Sequence, residues 1–298
     1  ARKLSKNFQH NINLLALEER KEQDEFAHAV EQALKSHQSS FLQAQTGLGK
    51  TYGYLLPALG QTSKQILVTV PTKVLQDQIV ANEGQNLEQI FHISLHSLKS
   101  PANYLKLDFF YDSLQQVDDN RLVNRCKMLL LVWLTETESG DLDEIGQRHR
   151  YQTYLQQVLH DGKLSKKSHF WDTDFWQKGQ EKSKRSRVLV TNHAYFLTRL
   201  EDDKSIVENR LLIVDEAQKL FLALENLSRK SLNMTKCLQQ IQLELKEVNT
   251  ILERRLLEDI QFELAHAIEQ FQRYRKNELA KETCSKLRQD LSEINTSR

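Results

Sequence analysis

The chain has 298 residues, 39% of them hydrophobic, which is enough for one sizeable core and an inserted or appended second domain. Its 41 Lys and Arg against 40 Asp and Glu give a net charge of +1. This balance excludes a globally basic nucleic-acid-binding protein and leaves only a local patch for that role. Three widely spaced cysteines exclude a disulfide framework, and no apolar run approaches the roughly 20 residues of a membrane span. A cytoplasmic protein with reduced thiols and no membrane partner is expected.

Short apolar segments alternate with helical patterns in the first 103 residues, as they do in a parallel sheet with crossover helices. Strands are expected at Ser40 to Leu42, Gln65 to Val70 and Phe91 to Leu95. Two later runs, Arg187 to Thr191 and Leu211 to Val214, are apolar almost throughout and suit strands that are buried on both faces. The predicted fold class is therefore α/β.

A glycine-rich segment, FLQAQTGLGKT, leads from the first of these strands into a helix that begins near Lys50. Its glycines let backbone N–H groups converge, and the helix N-terminus adds a positive dipole end, so a phosphate is expected here. Lys50 is expected to reach the β and γ phosphates of ATP, and Thr51 to ligate Mg²⁺. The predicted ATP-binding loop consists of Ala44, Gln45, Thr46, Gly47, Leu48, Gly49, Lys50 and Thr51. The strict pattern has glycine where this chain has Ala44.

A second polar site follows the last apolar strand, which ends in Asp215 and Glu216. Acids at the carboxyl end of a strand lie where open α/β sheets bind ligands. Asp215 is expected to hold Mg²⁺, directly or through water, and Glu216 to orient and deprotonate the attacking water. Together with the glycine-rich loop, this pair predicts a nucleotide hydrolysis site.

Residues 104–186 carry charged and acidic stretches without strand signals and are interpreted as an insertion. Between Lys163 and Arg187, eight Lys or Arg are interleaved with four aromatic residues. This composition fits a single-strand nucleic-acid groove, but the core and solvated face of a small domain is the favoured interpretation. From Leu238 onward, apolar residues step by three and four, so residues 219–298 are predicted to form long helices packed as an antiparallel hairpin.

Five segments resemble the DinG-type helicases of the XPD-like group within helicase superfamily 2. They are Ala44 to Thr51 (motif I), Val68 to Gln78 (motif Ia), Leu131 to Glu144, Leu189 to Leu197 and Leu211 to Leu220 (motif II). The resemblance implies a RecA-like P-loop motor domain made of residues 1–103 and 187–220. It also implies that the insertion at 104–186 replaces an iron–sulfur domain and that residues 221–298 form a helical arch.

The resemblance assigns roles to further residues. Arg20 and Gln23 match an R-x-x-Q element that reads adenine, and Gln218 stands where motif II usually has His. Near the DNA track or the path that couples it to hydrolysis, the resemblance places Thr72, Lys73, Asn192 and His193. For His193, an internal hydrogen bond is an equal alternative to a DNA contact.

One departure from the family concerns its metal cluster. Lys106 stands where the first cluster cysteine is expected, and Cys126 is the one cysteine between there and Asn192. Four thiolates are needed for an iron–sulfur cluster, so none is expected, and strand separation is less secure than translocation.

The expected function is Mg-ATP hydrolysis that drives a helicase or translocase along single-stranded DNA, in repair or replication. Lys50, Asp215, Glu216 and Gln218 are the predicted catalytic residues. No second motor domain or arginine finger is found in the sequence. Some Gram-positive relatives carry an exonuclease domain ahead of the motor, and Lys3 to Leu15 is interpreted as a linker from one. The alternatives are a DNA-binding or partner-docking module with a vestigial nucleotide site, and a P-loop kinase, against which motif Ia and the TNH segment argue.

Overall fold

The computed structural model describes residues 4–36, 38–45, 47–228, 237–238, 241–242, 245 and 250–274. The chain divides into two compact units, Ala1–Ser228 and Arg229–Arg298. Among the described residues, none of the helices combines the length and apolar character needed to cross a membrane.

The first unit holds a four-stranded sheet. Its strands are β1 (Gln65–Val70), β2 (Leu95–Ser97), β3 (Val188–Asn192) and β4 (Arg210–Val214). They lie in the order β2-β3-β1-β4, and every neighbouring pair is parallel. The predicted α/β fold with a parallel sheet is confirmed. β1 and β3 are buried almost throughout because they occupy the middle of the sheet with both faces covered.

Helices surround this sheet and build the rest of the chain. The first unit contains α1 (Phe8–Leu14), α2 (Lys21–Ser36), α3 (Lys50–Gln61), α4 (Lys73–Ile79), α5 (Gln85–Phe91), α6 (Leu107–Leu114), α7 (Arg121–Glu136), α8 (Gln152–Val158), α9 (Phe175–Arg185), α10 (His193–Asp202) and α11 (Ala217–Ser228). A π-helical segment, Val80–Gly84, joins α4 to α5, and short 3-10 turns lie at Pro101–Asn103, Leu142–Glu144, Arg148–Tyr151 and Lys204–Val207. In the second unit, α12 spans Ile251–Tyr274.

Two of the expected strands differ in the structure. Ser40 to Leu42 is not a strand, because its backbone has no ladder partner; Phe41 is 91% exposed. The edge strand next to β1 in the described sheet is β4, not residues 40–42, and its Leu212 is 38% exposed. The strand expected at Phe91 to Leu95 begins only at Leu95, because α5 continues to Phe91 and His92 then ends it in the left-handed region (φ +53°).

The chain's N-terminal segment is also more ordered than a linker. α1 lies within Lys3 to Leu15, and its Phe8 and Ile12 are buried in the core that covers one face of the sheet. The interpretation of this segment as a linker is therefore wrong for α1, because its apolar side chains pack into the core on one face of the sheet.

Residues 104–186 have a hydrophobic core of their own. Its buried members are Leu105, Phe110, Cys126, Leu130, Leu142, Ile145, Tyr151, Tyr154, Leu155 and Val158. The start of the insertion is bonded to its residues 158–160, where Lys106 N donates to Val158 O at 2.9 Å and His160 N donates to Tyr104 O at 2.9 Å. A separate core is typical of an inserted domain; the domain boundaries stay a prediction.

Aromatic residues in the basic segment pack against this insertion. Phe170 contacts Tyr111, Phe175 contacts Trp133 and Trp176 contacts His160, with ring centroids 5.9, 6.5 and 4.7 Å apart. These contacts favour the interpretation as a domain core over a row of stacking platforms for nucleic-acid bases.

The second unit is helical where it is described. Ile260 and Leu264 of α12 pack with Cys237, Leu238 and Ile241, as two apposed helical stripes would. Of the predicted arch, residues 229–236 and 275–298 lie outside the described residues, and α11 belongs to the first unit.

The insertion offers a test of its own electrostatics. Lys106 Nζ lies 2.8 Å from Asp161 Oδ1 and is almost buried. We expect Asp161→Ala to lower the free energy of unfolding of the insertion by about 1–3 kcal/mol, because the buried ammonium then lacks its carboxylate. Lys106→Met keeps the apolar stem and removes the charge, so it should cost less.

All three tryptophans lie in the insertion, so denaturation followed by tryptophan fluorescence reports on this domain. Asp172→Ala, at an exposed position, is the matched control and should change the stability by less than about 0.5 kcal/mol. A larger loss for Lys106→Met than for Asp161→Ala would contradict the assignment of this ion pair.

Candidate nucleotide-binding site

The glycine-rich loop has the conformation that its glycines allow. Gly47 and Gly49 have φ values of +81° and +77°, and Lys50 begins α3 directly after them. No atom lies within 4 Å of the position that a Cβ on Gly47 would take, so the concave side is open there. The first N–H groups of α3 have no partner in their own helix and suit an anion. Thr46 lies outside the described residues.

Two side chains at the start of α2, one just before the helix and one in its first turn, hydrogen-bond to carbonyl groups of the loop. Arg20 Nη1 donates to Gly47 O at 2.9 Å, and Gln23 Nε2 donates to Gly49 O at 2.8 Å. A Cβ on Gly49 would lie 2.4 Å from Gln23 Nε2. The two residues that the resemblance assigns to adenine thus fix the shape of the phosphate loop in this structure. Contact of Gln23 with adenine stays a prediction.

The two predicted carboxylates follow β4. The Asp215 N–H donates to Thr69 O of β1 at 2.9 Å, which fixes Asp215 at the carboxyl edge of the sheet. Glu216 has a φ of +49°, an uncommon value for a residue with a side chain. Its carboxylate lies 2.7 Å from Lys219 Nζ. Such local backbone strain is concentrated at functional sites.

Tyr54 brings the predicted magnesium ligands together, although they are 164 positions apart in sequence (215 minus 51). Its hydroxyl donates to Asp215 Oδ2 at 3.4 Å and also interacts with the Thr51 side chain. Burial raises the pKa of Tyr54, and the charge of Asp215 raises it further. Tyr54 was not predicted from the sequence. Its position three residues after Thr51, on the same face of α3, is the signal that could have found it.

Two ammonium groups influence the carboxylates that follow β4. Burial raises the pKa of Asp215, while the charge of Lys50 lowers it. A hydrogen bond from Lys219 lowers the pKa of Glu216, and Lys50 lowers it further. The Lys50 ammonium is therefore within electrostatic range of both acids. Gln218, in contrast, is exposed.

These residues fit Mg-ATP. Thr51 and Asp215 offer the hard oxygen ligands that Mg²⁺ prefers. The loop offers N–H groups and an ammonium for the phosphates, and its open side leaves room for them.

The predicted DNA-binding residues have different surroundings. Thr72 caps α4 by accepting from Leu75 N at 3.2 Å. Lys73 Nζ donates to Asn103 Oδ1 at 2.5 Å and lies 3.5 Å from Asp143 Oδ2. Asn192 and His193 are 6% and 0% exposed. Both side chains are buried in this structure, and their roles at DNA or in the coupling path stay predictions.

A buried ammonium that sequence reasoning missed joins α4 to the insertion. Lys99 is 4% exposed, lies 2.6 Å from Asp77 Oδ1 of α4 and pairs with Asp141 of the insertion. Burial lowers the pKa of Lys99, but its hydrogen bonds to Asp141 and Asp77 raise it more. Residues so far apart in sequence carry no local signal of their pairing.

The insertion does not fit an iron–sulfur cluster. Lys106 points its ammonium at Asp161, and burial raises the pKa of the Cys126 thiol to about 11. A cluster needs four ionised thiolates, and residues 104–186 contain one thiol, which is held in its neutral form.

Asp215 provides a test by pH. Since burial raises its pKa in the folded state, its ionised form destabilises the folded protein near pH 7. We expect Asp215→Asn to raise Tm at pH 7 by roughly 2–4 °C. The gain should shrink as the pH falls toward the usual range of aspartate, where wild-type Asp215 is protonated in both states.

Thermal unfolding between pH 4 and pH 8 measures this effect. Asp203→Asn is the control, because hydrogen bonds from Ser205 lower the pKa of Asp203, so its replacement should not raise Tm at pH 7. An Asp215→Asn variant that is no more stable than wild type at pH 7 would rule out the burial effect.

This chain is similar in sequence to several known proteins. Residues 23–130 match the family model of the DEAD/DEAH box helicases. The 3'-5' exonuclease DinG of Bacillus subtilis (strain 168) is 27% identical over 235 residues, which cover 76% of this chain and 25% of the relative. The protein of the same name from Staphylococcus aureus (strain USA300) is 27% identical over 220 residues, covering 70% and 23%.

The chain spans about a quarter of the length of these curated relatives. A solved structure described as truncated XPD covers 91% of this chain and 75% of its own, with a TM-score of 0.47 and 15% identity. Residues 23–130 of this chain are therefore similar to DEAD/DEAH box helicases, and most of the chain is distantly similar to part of the proteins named 3'-5' exonuclease DinG.

Proposed function

We propose that this chain is the ATP-binding motor domain of a cytoplasmic helicase or translocase that moves on single-stranded DNA in repair or replication. The observation that carries the proposal is the meeting of Thr51, Asp215 and Lys50 at one edge of the parallel sheet. In open α/β sheets this edge is where ligands bind.

Each residue has a defined task in hydrolysis. The loop N–H groups and Lys50 bind the phosphates and stabilise the negative charge that develops on them. Thr51 and Asp215 would hold Mg²⁺, which would neutralise negative charge on the phosphates. Glu216 orients the attacking water and accepts its proton. Its ion pair with Lys219 keeps the carboxylate ionised, as a base must be. Gln218 is proposed to act beside it as a hydrogen-bonding group.

A complete motor needs more than this chain. Phosphoryl transfer of this type uses an arginine finger, which we assign to a second motor domain elsewhere in the full-length protein. Single-stranded DNA is the proposed partner, with Thr72 at the exposed end of α4. The proposal concerns movement along single-stranded DNA and does not depend on duplex unwinding or on an iron–sulfur cluster.

Nuclease chemistry is not assigned to the described residues. Asp77, Asp141 and Asp143 form a group of acids there that are close enough to share a metal ion. The ammonium of Lys99 already lies among them and balances their charge. The exonuclease activity in the names of the relatives is therefore proposed to belong to a further domain of the parent protein.

The rival function is a DNA-binding or partner-docking module whose nucleotide site only stabilises the fold. The observation that favours it is the ion pair of Glu216 with Lys219, since a carboxylate so engaged is less available to water. The two functions differ in turnover, because the rival binds ATP without hydrolysing it.

The shape of the loop predicts which glycine is required. We expect Gly49→Ala to weaken MgATP binding by about 10- to 100-fold, because alanine at φ +77° is strained by roughly 1–3 kcal/mol and its Cβ displaces Gln23. Gly60→Ala, at an open position near the end of α3, should leave binding unchanged and is the matched control. Titration with a fluorescent ATP analogue measures both; equal affinities for the two variants would argue against the loop as the site.

Steady-state ATP hydrolysis by the full-length protein tests the motor. With a single-stranded oligothymidylate, we expect the wild-type rate to rise, and Lys50→Ala and Glu216→Gln to lower kcat by about 10²-fold or more. Lys64→Ala and Glu208→Gln change exposed residues of the same types and should retain activity. A wild-type rate that is indifferent to DNA would exclude the motor, and ATP binding without turnover would favour the docking module.

A further inference from the structure

A chain of buried polar side chains runs beneath the sheet edge that carries the proposed active site. It begins at Gln76 of α4, which has no exposed surface. Gln76 Nε2 lies 2.9, 3.0 and 2.9 Å from the acceptors Ser97 Oγ, Leu98 O and Val190 O, which share its two N–H groups. One amide thus attaches α4 to β2, β3 and the residue that follows β2.

The next member is Asn192, at the end of β3. Its Nδ2 donates to Gln76 Oε1 at 3.1 Å, and its Oδ1 accepts from Tyr195 N at 3.0 Å, which caps α10. Both ends of this amide are therefore used within the protein. Asn192 holds α4 and the start of α10 in one fixed relation.

His193 follows Asn192 in sequence and continues the chain through the backbone toward the proposed catalytic acids. Its Nδ1 lies 2.8 Å from Thr69 Oγ1. Thr69 in turn accepts the Asp215 N–H through its carbonyl at 2.9 Å. One residue of β1 therefore binds the imidazole with its side chain and the magnesium-binding residue with its backbone. His193 Nε2 is buried without a hydrogen-bond partner among the described residues.

The ring of His193 is fully buried; burial lowers its pKa, while Asp215 and Glu216 raise it. The imidazole is therefore bonded to Thr69 and within electrostatic range of the two acids. A displacement of the His193 ring would therefore change the positions of Thr69 and of the two acids.

We propose that His193 is a positioning residue that links the place of α4 to the geometry of Asp215 and Glu216, through the buried relay Gln76, Asn192, His193 and Thr69. The proposal rests on the proposed motor function, and it gives that function its coupling path. Phosphate contacts made at the exposed start of α4 would then be transmitted to the carboxylates without any relay residue touching DNA.

Packing alone does not explain this choice of residues. Burying four polar side chains has a desolvation cost that apolar residues of the same size would avoid. Hydrogen-bonded networks fix distances and directions more narrowly than apolar contacts do. α4 is also held to the insertion through Asp77 and Lys99, so a displacement of the insertion reaches the same relay.

The test compares variants of the relay in the full-length protein. The readouts are KM for ATP and the factor by which an oligothymidylate raises kcat. We expect His193→Phe to lower this stimulation factor about tenfold, within the usual range of coupling between sites. KM should change less than about twofold, since the hydrogen bond that His193 makes among the described residues is to Thr69 and not to the ATP-binding loop. His193→Asn keeps a polar atom near the place of Nδ1 and should restore much of the stimulation.

Thr69→Val should reduce the stimulation as well, and in the double variant with His193→Phe the two effects should not add, because both remove the same hydrogen bond. Thr191→Val alters a buried hydroxyl on β3, the strand that ends at Asn192, but Thr191 is not part of the relay. It is the control for general damage to β3. Stimulation that persists in His193→Phe, or that falls equally in Thr191→Val, would overturn the relay and leave the motor function standing. A wild-type protein without DNA stimulation would refute the motor, and the relay with it.

Discussion

The pairing of β1 with strands on both sides is the constraint on which the rest of the structure depends. In the parallel register, Val70 lies opposite Asn192, and Thr69 lies opposite Val214. Because parallel strands end at the same edge, residues far apart in sequence arrive together there. Asp215 reaches its place by the single backbone bond to Thr69, and any slip of β4 by one residue would turn its side chains to the opposite face.

Several residues of the proposed site have strained backbone conformations or a buried charge. Gly49 has a left-handed backbone conformation, and its carbonyl accepts a hydrogen bond from the Gln23 amide. Glu216 also has a positive φ, although it carries a side chain. Burial opposes the charge of Asp215. Such features lower stability in the absence of a ligand, and proteins commonly retain them where a ligand recovers the loss. The apolar core beneath, centred on β1 and β3, supplies the stability against which this strain is held.

The sequence was informative where chemistry is local. The glycine-rich loop, the acids after β4 and the apolar runs of β1, β3 and β4 were predicted correctly as elements because each is read from consecutive residues. Their assignment to ATP and Mg²⁺ stays a prediction. Gln76 gave a weak signal, since it lies on the face of α4 that carries Ile79.

What the sequence could not reveal is which distant polar residues meet. Lys73 was expected at DNA, yet it is engaged by Asn103 and Asp143, and nothing in a linear sequence indicates that an acidic segment 70 positions away lies beside it (143 minus 73). Ser40 to Leu42 was misjudged for a related reason. Its residues have strand propensity, but a strand exists only where a neighbour accepts its hydrogen bonds.

The outer edge of β4 has a practical consequence for work with this chain. Its backbone is unpaired on that side within the described residues, and Leu212 presents apolar surface there. Natural proteins cover or charge such edges because they template pairing with other chains. When this chain is prepared by itself, self-association should begin at this edge and depend on protein concentration. Adding a covering strand is therefore a more rational route to a well-behaved sample than shortening the termini.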